Sequence, residues 1–206
     1  ARAAAARLAD AVGQDFYLAG GTGLALWRGH RISLDLDLFS SASSLDTGER
    51  RRLIDDLAGS GPLSIIHSRE GTCHLLVGRT SVSLFRYRYP LLDRASAWRG
   101  LSVASVRDIA AMKVSAVVGR GARKDFVDLY VICREMGIDA VLEACHARFP
   151  DHHDFLSESV RALVYFEDAE KEPMPRLLTE ISWPAVRTYF EEDVRRILRQ
   201  RLEPPD

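Results

Sequence analysis

Two aspartates occupy alternate positions in a short leucine-rich run. Asp35 and Asp37 alternate with three leucines, Leu34, Leu36 and Leu38. On a strand, this spacing directs the leucines into a core and both carboxylates to the opposite face, with the aspartate Cα atoms ~6–7 Å apart. Carboxylates this close repel each other, and a divalent cation relieves the repulsion. Because Mg²⁺ binds one or two carboxylates together with water and phosphate oxygens, the pair is a candidate site for Mg²⁺ or Mn²⁺, although the pair alone does not establish one. An edge strand with a polar outer face is the alternative.

A glycine pair lies upstream of the aspartates, between a predicted strand and a predicted helix. Gly20 and Gly21 permit a phosphate to approach the backbone, and the amides at the start of a helix favour an anion. Thr22 follows them and adds a hydroxyl. Such a turn is common on its own, and Thr22 also suits an ordinary N-cap. Together with the aspartates, however, the turn predicts a triphosphate and a metal ion held side by side.

The hydrophobic period predicts an α+β (mixed α/β) protein with two parts. Residues 1–95 form the first part, a mixed-sheet domain with flanking helices. A helix near the start is followed by strand Phe16–Ala19, helix Thr22–Trp27, strand Leu34–Phe39, helix Thr47–Leu57, and strands Leu63–His67, Cys73–Val77 and Ser81–Arg86. The strand period places Ser33 on the same face as the two carboxylates, where it touches substrate, is modified, or simply begins the strand.

Residues 96–206 are predicted to form a helical domain that completes the site. After Pro90 the apolar residues recur at helical spacing. The predicted helices begin near Ser105 and then cover Lys124–Met136, Ala140–Arg148, Phe155–Glu170 and Pro184–Leu202.

Composition limits the classes of partner. The chain has 206 residues, 47% of them hydrophobic, and a formal net charge of −1. With both signs of charge interspersed, no global field attracts nucleic acid or an anionic membrane, so any polyanion site is local. No apolar run approaches the ~20 residues of a membrane helix, and three unpaired cysteines indicate no disulfide framework. We therefore expect a soluble, cytoplasmic protein without a membrane partner.

The run GGTGLAL…HRISLDLDLF resembles the first motif of DNA-polymerase-β-type nucleotidyltransferases, and within them the AbiEii/AbiGii toxin family. In that family the Gly-Gly-[Ser/Thr] turn and the D-x-D strand precede a helix that carries a lysine and then a basic-Asp-x-x-Asp segment. Lys113 matches the lysine, and Asp125 and Asp128 match the later acids. The likeness extends over nearly the whole chain.

The resemblance implies transfer of a nucleoside monophosphate from an NTP to an acceptor hydroxyl. It suggests RNA, such as a tRNA end, as the acceptor, and the toxin of a toxin–antitoxin or phage-defence pair, with a cognate antitoxin. Asp35 and Asp37 would bind the metal. Gly20, Gly21 and Thr22 would bind the triphosphate, with Ser33 nearby.

Lys113 lies on the apolar stripe of its helix, where a charge needs either an anion or a route to water. The resemblance assigns it to the nucleotide phosphates. Asp125 and Asp128 share one helix face. Asp125 lies in the first turn, where an acid also stabilises the helix dipole, so Asp128 is the stronger candidate for the metal or the attacking hydroxyl.

Ser83 is a departure from the pattern. Enzymes of the wider fold usually carry a third carboxylate on this strand, so Ser83 weakens the case for proton abstraction by a third acid. Asp125 or Asp128 would have to compensate. A catalytically silent nucleotide- or RNA-binding protein and a metal phosphohydrolase are therefore the alternatives.

Overall fold

The computed structural model describes residues 2–202. Its helices are α1 (Arg2–Val12), α2 (Gly20–Arg28), α3 (Thr47–Gly59), α4 (Val106–Arg120), α5 (Arg123–Met136), α6 (Ile138–Arg148), α7 (Phe155–Ala162), α8 (Glu167–Glu170) and α9 (Trp183–Leu202). Its strands are β1 (Tyr17–Leu18), β2 (Leu36–Ser40), β3 (Leu63–Arg69), β4 (Thr72–Val77), β5 (Thr80–Arg86), β6 (Ser96–Trp98) and β7 (Leu101–Val103). This mixture of helices and strands confirms the predicted fold class.

Within residues 2–202 the strands form one seven-stranded mixed sheet, in the order β3-β4-β5-β2-β1-β7-β6. The central strand β2 pairs in parallel with β5 and antiparallel with the short strand β1. Hairpins join β3 to β4, β4 to β5 and β6 to β7. The sheet therefore brings β2, which carries Asp37, between the strand before the glycine turn and the strand that carries Ser83.

One face of the sheet is apolar and packs on α1 and α3. Leu36 and Leu38 on β2 are fully buried there, as are Leu8 of α1 and Leu57 of α3. Helix α3 starts where it does because Asp46 caps it: its side chain accepts from the Glu49 amide, in a reciprocal capping box. As predicted from the alternation, the leucines and Asp37 point to opposite faces of β2.

The chain groups into two compact units. The first holds the residues up to Arg28 and Ser33–Ser105, and the second holds Gly29–Ile32 and the chain from Val106 onward. This division differs from the predicted boundary at residue 96, because β6 and β7 extend the sheet through a region predicted to be helical. It also assigns a four-residue segment between α2 and β2 to the second unit.

The second unit is helical, as predicted, and has its own core. Phe126 of α5 contacts three other aromatic rings at centroid distances of 5.1–5.9 Å. These belong to Phe166, Trp183 and Phe190. The single helix predicted over Phe155–Glu170 is wrong, since α7 ends at Ala162 and α8 begins at Glu167. Between them the backbone bonds tighten to three-residue spacing, as Tyr165 N donates to Ala162 O, and Phe166 turns into the aromatic core.

Candidate active site

The glycine turn and the second aspartate lie in direct contact. Ala19 N, at the end of the β1 segment, donates to Asp37 O at 3.0 Å, and α2 begins at the next residue. Gly20 has a φ of +61°, and a Cβ at this position would lie 2.9 Å from Asp37 Oδ2. Only glycine combines that backbone conformation with so close a carboxylate. The Asp37 carboxylate therefore lies against the first residue of α2.

Gly20, Gly21 and Thr22 form the first turn of α2, so the predicted helix start at Thr22 is two residues late. Amides in a first turn have no acceptor within the helix and are suited to an anion. The Thr22 side chain is 6% exposed; its hydroxyl donates to the Asp35 carbonyl and lies 3.0 Å from Ser33 Oγ. These contacts fix the segment before β2.

Asp35 is exposed and lies just before β2, which begins at Leu36. The predicted strand started two residues earlier, and the expectation that Leu34 enters the core is wrong, because its side chain is 67% exposed. The physical reason lies in the preceding backbone. Ile32 N donates to Arg176 O at 2.9 Å, and Leu178 N donates to the His30 carbonyl at 2.8 Å. Residues 30–32 thus bond to another segment and not to a sheet strand.

Ser83 lies directly beside Asp37 in the parallel register of β2 and β5. It is 9% exposed, and its hydroxyl is 3.0 Å from His74 Nδ1 on β4. Gly20, Asp37, Ser83 and His74 therefore belong to one site in the first unit, with Asp35 at its exposed end. Sequence reasoning assigned no role to His74.

Lys113 is buried in the second unit and holds two carboxylates. Its Nζ is 2.7 Å from Asp125 Oδ1 and 2.5 Å from Asp128 Oδ2, and the residue is only 4% exposed. Of the two alternatives for this lysine, extension to water is therefore wrong. An ammonium has three N–H donors, and these two contacts use two of them.

The two acids have further partners besides Lys113. Arg31 binds Asp128 through Nε and Nη2 at 2.6 and 2.8 Å, and His30 Nε2 lies 2.7 Å from the same carboxylate. Arg120 binds Asp125 through Nε at 2.7 Å. The 97-residue separation of Arg31 and Asp128 explains why no local pattern predicted this network.

Burial alone would raise the pKa of both acids, but their partners outweigh it. Lys113, with the hydrogen bonds from Arg31 and His30, lowers the pKa of Asp128 far below its ordinary value. Lys113 and Arg120 lower the pKa of Asp125. Both carboxyls are therefore ionised at neutral pH.

Within the part of the chain that the structure describes, no three His, Cys, Asp or Glu side chains are grouped so as to hold a metal ion. A closed protein cage, such as that of structural zinc, is thus not found there. Asp37 instead offers a carboxylate beside the start of α2, and Asp35 offers an exposed carboxylate just before β2. This donor set fits Mg²⁺, which keeps water and substrate phosphates as its remaining ligands.

Comparison with known sequences decides the family. The sequence model described as "Nucleotidyl transferase AbiEii toxin, Type IV TA system" matches residues 3–70 and 83–205. The chain belongs to the AbiEii toxin family. It is a nucleotidyltransferase, and this family membership confirms the resemblance drawn from the glycine turn and the D-x-D run. A relative, the uncharacterized protein aq_aa25 of Aquifex aeolicus (strain VF5), is 37% identical over 188 residues, which are 89% of this chain and 88% of that protein.

Solved structures share the fold of this AbiEii-family chain at low sequence identity. The MenT4 nucleotidyltransferase toxin of Mycobacterium tuberculosis H37Rv superposes with a TM-score of 0.58 and 16% identity, over 94% of this chain and 81% of that one. The antibiotic-resistance factor ANT(2'')-Ia superposes with a TM-score of 0.54 and 15% identity, over 75% of this chain and 92% of that one. JHP933 from Helicobacter pylori superposes with a TM-score of 0.51 and 14% identity, over 97% of this chain and 90% of that one. The architecture is therefore that of nucleotidyltransferases.

Enzymes of this type use an NTP and a divalent metal, and members of the family belong to toxin–antitoxin systems. Among the described residues, no helix is both long enough and apolar enough to cross a membrane.

Proposed function

We propose that this protein transfers a nucleoside monophosphate from an NTP to a hydroxyl of RNA in a Mg²⁺-dependent reaction, and that this transfer is its toxic activity. One observation carries the proposal: the Asp37 carboxylate lies against Gly20, at the first turn of α2. This contact supports the proposal because it joins an acid suited to a metal ion with a turn suited to a phosphate. Asp35 and Asp37 would hold the metal, and Gly20, Gly21 and Thr22 would offer amides to the triphosphate.

When bound, Mg²⁺ would neutralise charge on the triphosphate and on the leaving pyrophosphate. The chain's own residues supply orientation. Thr22 ties down the segment that carries Ser33 and Asp35, so the first carboxylate is presented from a fixed backbone. The first-turn amides of α2 and its dipole favour the negative charge of the phosphates.

The proposal treats three residues as one hydrogen-bonded cluster: Lys113, Asp125 and Asp128. The two acids hold the lysine, and its third N–H donor would bind a phosphate oxygen. The contacts of Asp128 with Lys113, Arg31 and His30 favour a positioning role. Direct contact of Asp125 or Asp128 with the metal or the attacking hydroxyl stays a prediction.

Aromatic side chains beside Asp37 support RNA as the acceptor. Phe39, two residues beyond Asp37, stacks on Phe85 at 5.1 Å and meets Tyr87 edge-on at 5.5 Å. Tyr89 continues the cluster, with the Arg88 guanidinium 4.8 Å from its ring. Aromatic rings and arginine are the groups on which single-stranded bases stack. A tRNA end is the form of acceptor that the family resemblance suggests.

The test incubates the protein with each of the four NTPs, labelled on the α-phosphate, together with Mg²⁺ and total RNA. We expect one NTP or a subset to label RNA, and chelation with EDTA to stop it. Phe39→Leu should lower RNA labelling by about tenfold, since a lost stacking contact costs ~1–3 kcal/mol. Tyr165→Leu, which removes an exposed aromatic of the second unit, is the matched control. Release of phosphate without labelled RNA would indicate a phosphohydrolase, and NTP binding without turnover a silent binder.

A further inference from the structure

Three polar side chains form a row across the sheet of the first unit. Asp37 on β2 pairs with Ser83 on β5, and Ser83 pairs with His74 on β4. Directly paired residues of neighbouring strands lie about 4.8 Å apart and point to the same face. The row Asp37–Ser83–His74 therefore lies on the face opposite the apolar core.

The last two members of the row are hydrogen-bonded. Ser83 Oγ is 3.0 Å from His74 Nδ1. The His74 ring is held edge-on against Phe85, with a centroid distance of 5.4 Å and an interplanar angle of 78°. If the serine hydroxyl donates to Nδ1, the imidazole carries its own proton on Nε2. A serine hydroxyl and an oriented imidazole at this distance form a pair that can move a proton.

Nucleotidyl transfer needs such a group, because the attacking hydroxyl must lose its proton as its oxygen bonds to phosphorus. No carboxylate stands at residue 83, and Asp125 and Asp128 are engaged in the second unit by Lys113, Arg31 and Arg120. The family match excludes residues 71–82, which contain His74. The resemblance therefore says nothing about this residue.

We propose that Ser83 and His74 relay the proton of the acceptor hydroxyl. The acceptor oxygen forms a bond to the α-phosphorus, the bond from that phosphorus to the bridging oxygen breaks, and pyrophosphate leaves with the electron pair. The acceptor proton passes to Ser83 Oγ while the proton of Ser83 passes to His74 Nδ1. Serine thus ends neutral and His74 ends as an imidazolium, which then returns its proton to water. The relay rests on the proposed transfer reaction.

The first test removes the proton acceptor. His74→Gln should lower kcat for transfer about 10²-fold and leave the KM for NTP within about twofold, because the triphosphate is bound by other groups. His67→Gln is the matched control. His67 pairs with His74 on the adjacent strand at a ring-centroid distance of 6.1 Å and is exposed, so its replacement should leave kcat unchanged.

The second test separates a relay from a structural contact. Ser83→Ala should lower kcat by the same factor as His74→Gln. The double variant should have the same kcat as either single variant, since the two residues act together. Ser83→Asp places a carboxylate beside Asp37 as a direct proton acceptor. Adding it to His74→Gln should restore kcat to within about tenfold of wild type.

Three results would overturn the relay. An unchanged kcat in His74→Gln, with active wild type, contradicts the relay alone. A Ser83→Asp/His74→Gln double variant as slow as His74→Gln shows that the histidine acts through structure. A folded wild type that binds NTP and transfers nothing contradicts the proposed function itself, and with it the relay.

Discussion

The carboxylate of Asp37 and the α-carbon of Gly20 are so close that a Cβ at residue 20 would lie 2.9 Å from Oδ2 and 3.4 Å from the Asp37 Cβ. This relationship joins the glycine turn, which sequence reasoning assigned to phosphate, to the strand that it assigned to metal. It also makes the two halves of the site dependent on one another.

Gly20→Ala should therefore damage both stability and transfer. A positive φ in a non-glycine residue costs ~1–2 kcal/mol, and the added methyl displaces the carboxylate. We expect transfer to fall at least about tenfold and the free energy of unfolding in urea to fall by more than the φ cost alone.

Gly13→Ala is the control for this prediction. Gly13 has a φ of +58°, and a Cβ there would meet nothing within 4 Å. Gly13→Ala should lower the free energy of unfolding by the cost of the positive φ and leave the transfer rate unchanged. Equal transfer rates in both alanine variants would show that the Gly20–Asp37 contact has no part in the reaction.

Lys113→Met should destabilise the second unit. Removing the ammonium leaves Asp125 and Asp128 buried with too little positive charge, a change that costs about 3–5 kcal/mol. Lys171→Met is the matched control, because that lysine is exposed and pairs with Glu167 and Asp168 on the surface, where little change is expected.

The phosphate role of Lys113 needs a separate variant, Lys113→Met/Asp125→Asn, which removes one acid with the cation. It should regain part of the lost stability and still bind NTP more weakly than wild type by isothermal titration. Wild-type affinity in this folded variant would leave Lys113 with a structural role only.

Acid should weaken the fold through Asp125 and Asp128. Burial raises the pKa of each, but Lys113 and the other partners together outweigh it and lower the pKa in the folded protein, so each acid stabilises the fold when ionised. That contribution is fully present above the unfolded-state value of about 4 and is lost as pH falls through the lower folded-state pKa.

Urea titrations between pH 6 and pH 3 measure this effect. Asp128→Asn should be less stable than wild type at pH 6 and should lose less stability on acidification. The same drop in both proteins would mean that Asp128 does not contribute to the acid sensitivity.

NTP with Mg²⁺ should raise Tm, since the ligand binds the folded state alone. At about 100 times Kd, the stabilisation of ~2.7 kcal/mol corresponds to roughly 5–10 °C. NTP with EDTA should have much less effect, because the triphosphate charge is then unneutralised. An equal shift without metal would contradict the metal site.

The alternation of apolar and polar residues predicted the features of the fold that depend on local sequence. The alternation of Leu36, Asp37 and Leu38 correctly placed a strand with its acid on the polar face. The prediction that Leu34 is buried failed because residues 30–32 are hydrogen-bonded to the 176–178 segment. The alternation of apolar and polar residues does not reveal such a pairing. Strands β6 and β7 were missed because each has three residues and their turn is Arg99-Gly100, both with positive φ, in place of the usual Asn-Gly.

The contacts of the site also differ in how far the sequence could predict them. His74 lies opposite Ser83 because the hairpin turns at Gly78 and Arg79, with Val77 paired to Thr80. The predicted strands, Cys73–Val77 and Ser81–Arg86, placed the hairpin but left three residues between them, so they did not fix this register. The parallel pairing of Asp37 with Ser83, by contrast, connects strands separated by α3, β3 and β4. The same holds for the binding of Arg31 to Asp128, and both depend on tertiary packing.

The most direct measurement of the central claim is the rate of Mg²⁺-dependent pyrophosphate release with RNA present in Asp35→Asn, Asp37→Asn and Asp56→Asn. Asp56 is an exposed aspartate of α3 and serves as the control. We predict that both site variants stay folded and lose about 10³-fold in rate, whereas the control matches wild type. Site variants that release pyrophosphate at the wild-type rate would contradict the assignment of Asp35 and Asp37 as the metal-binding pair.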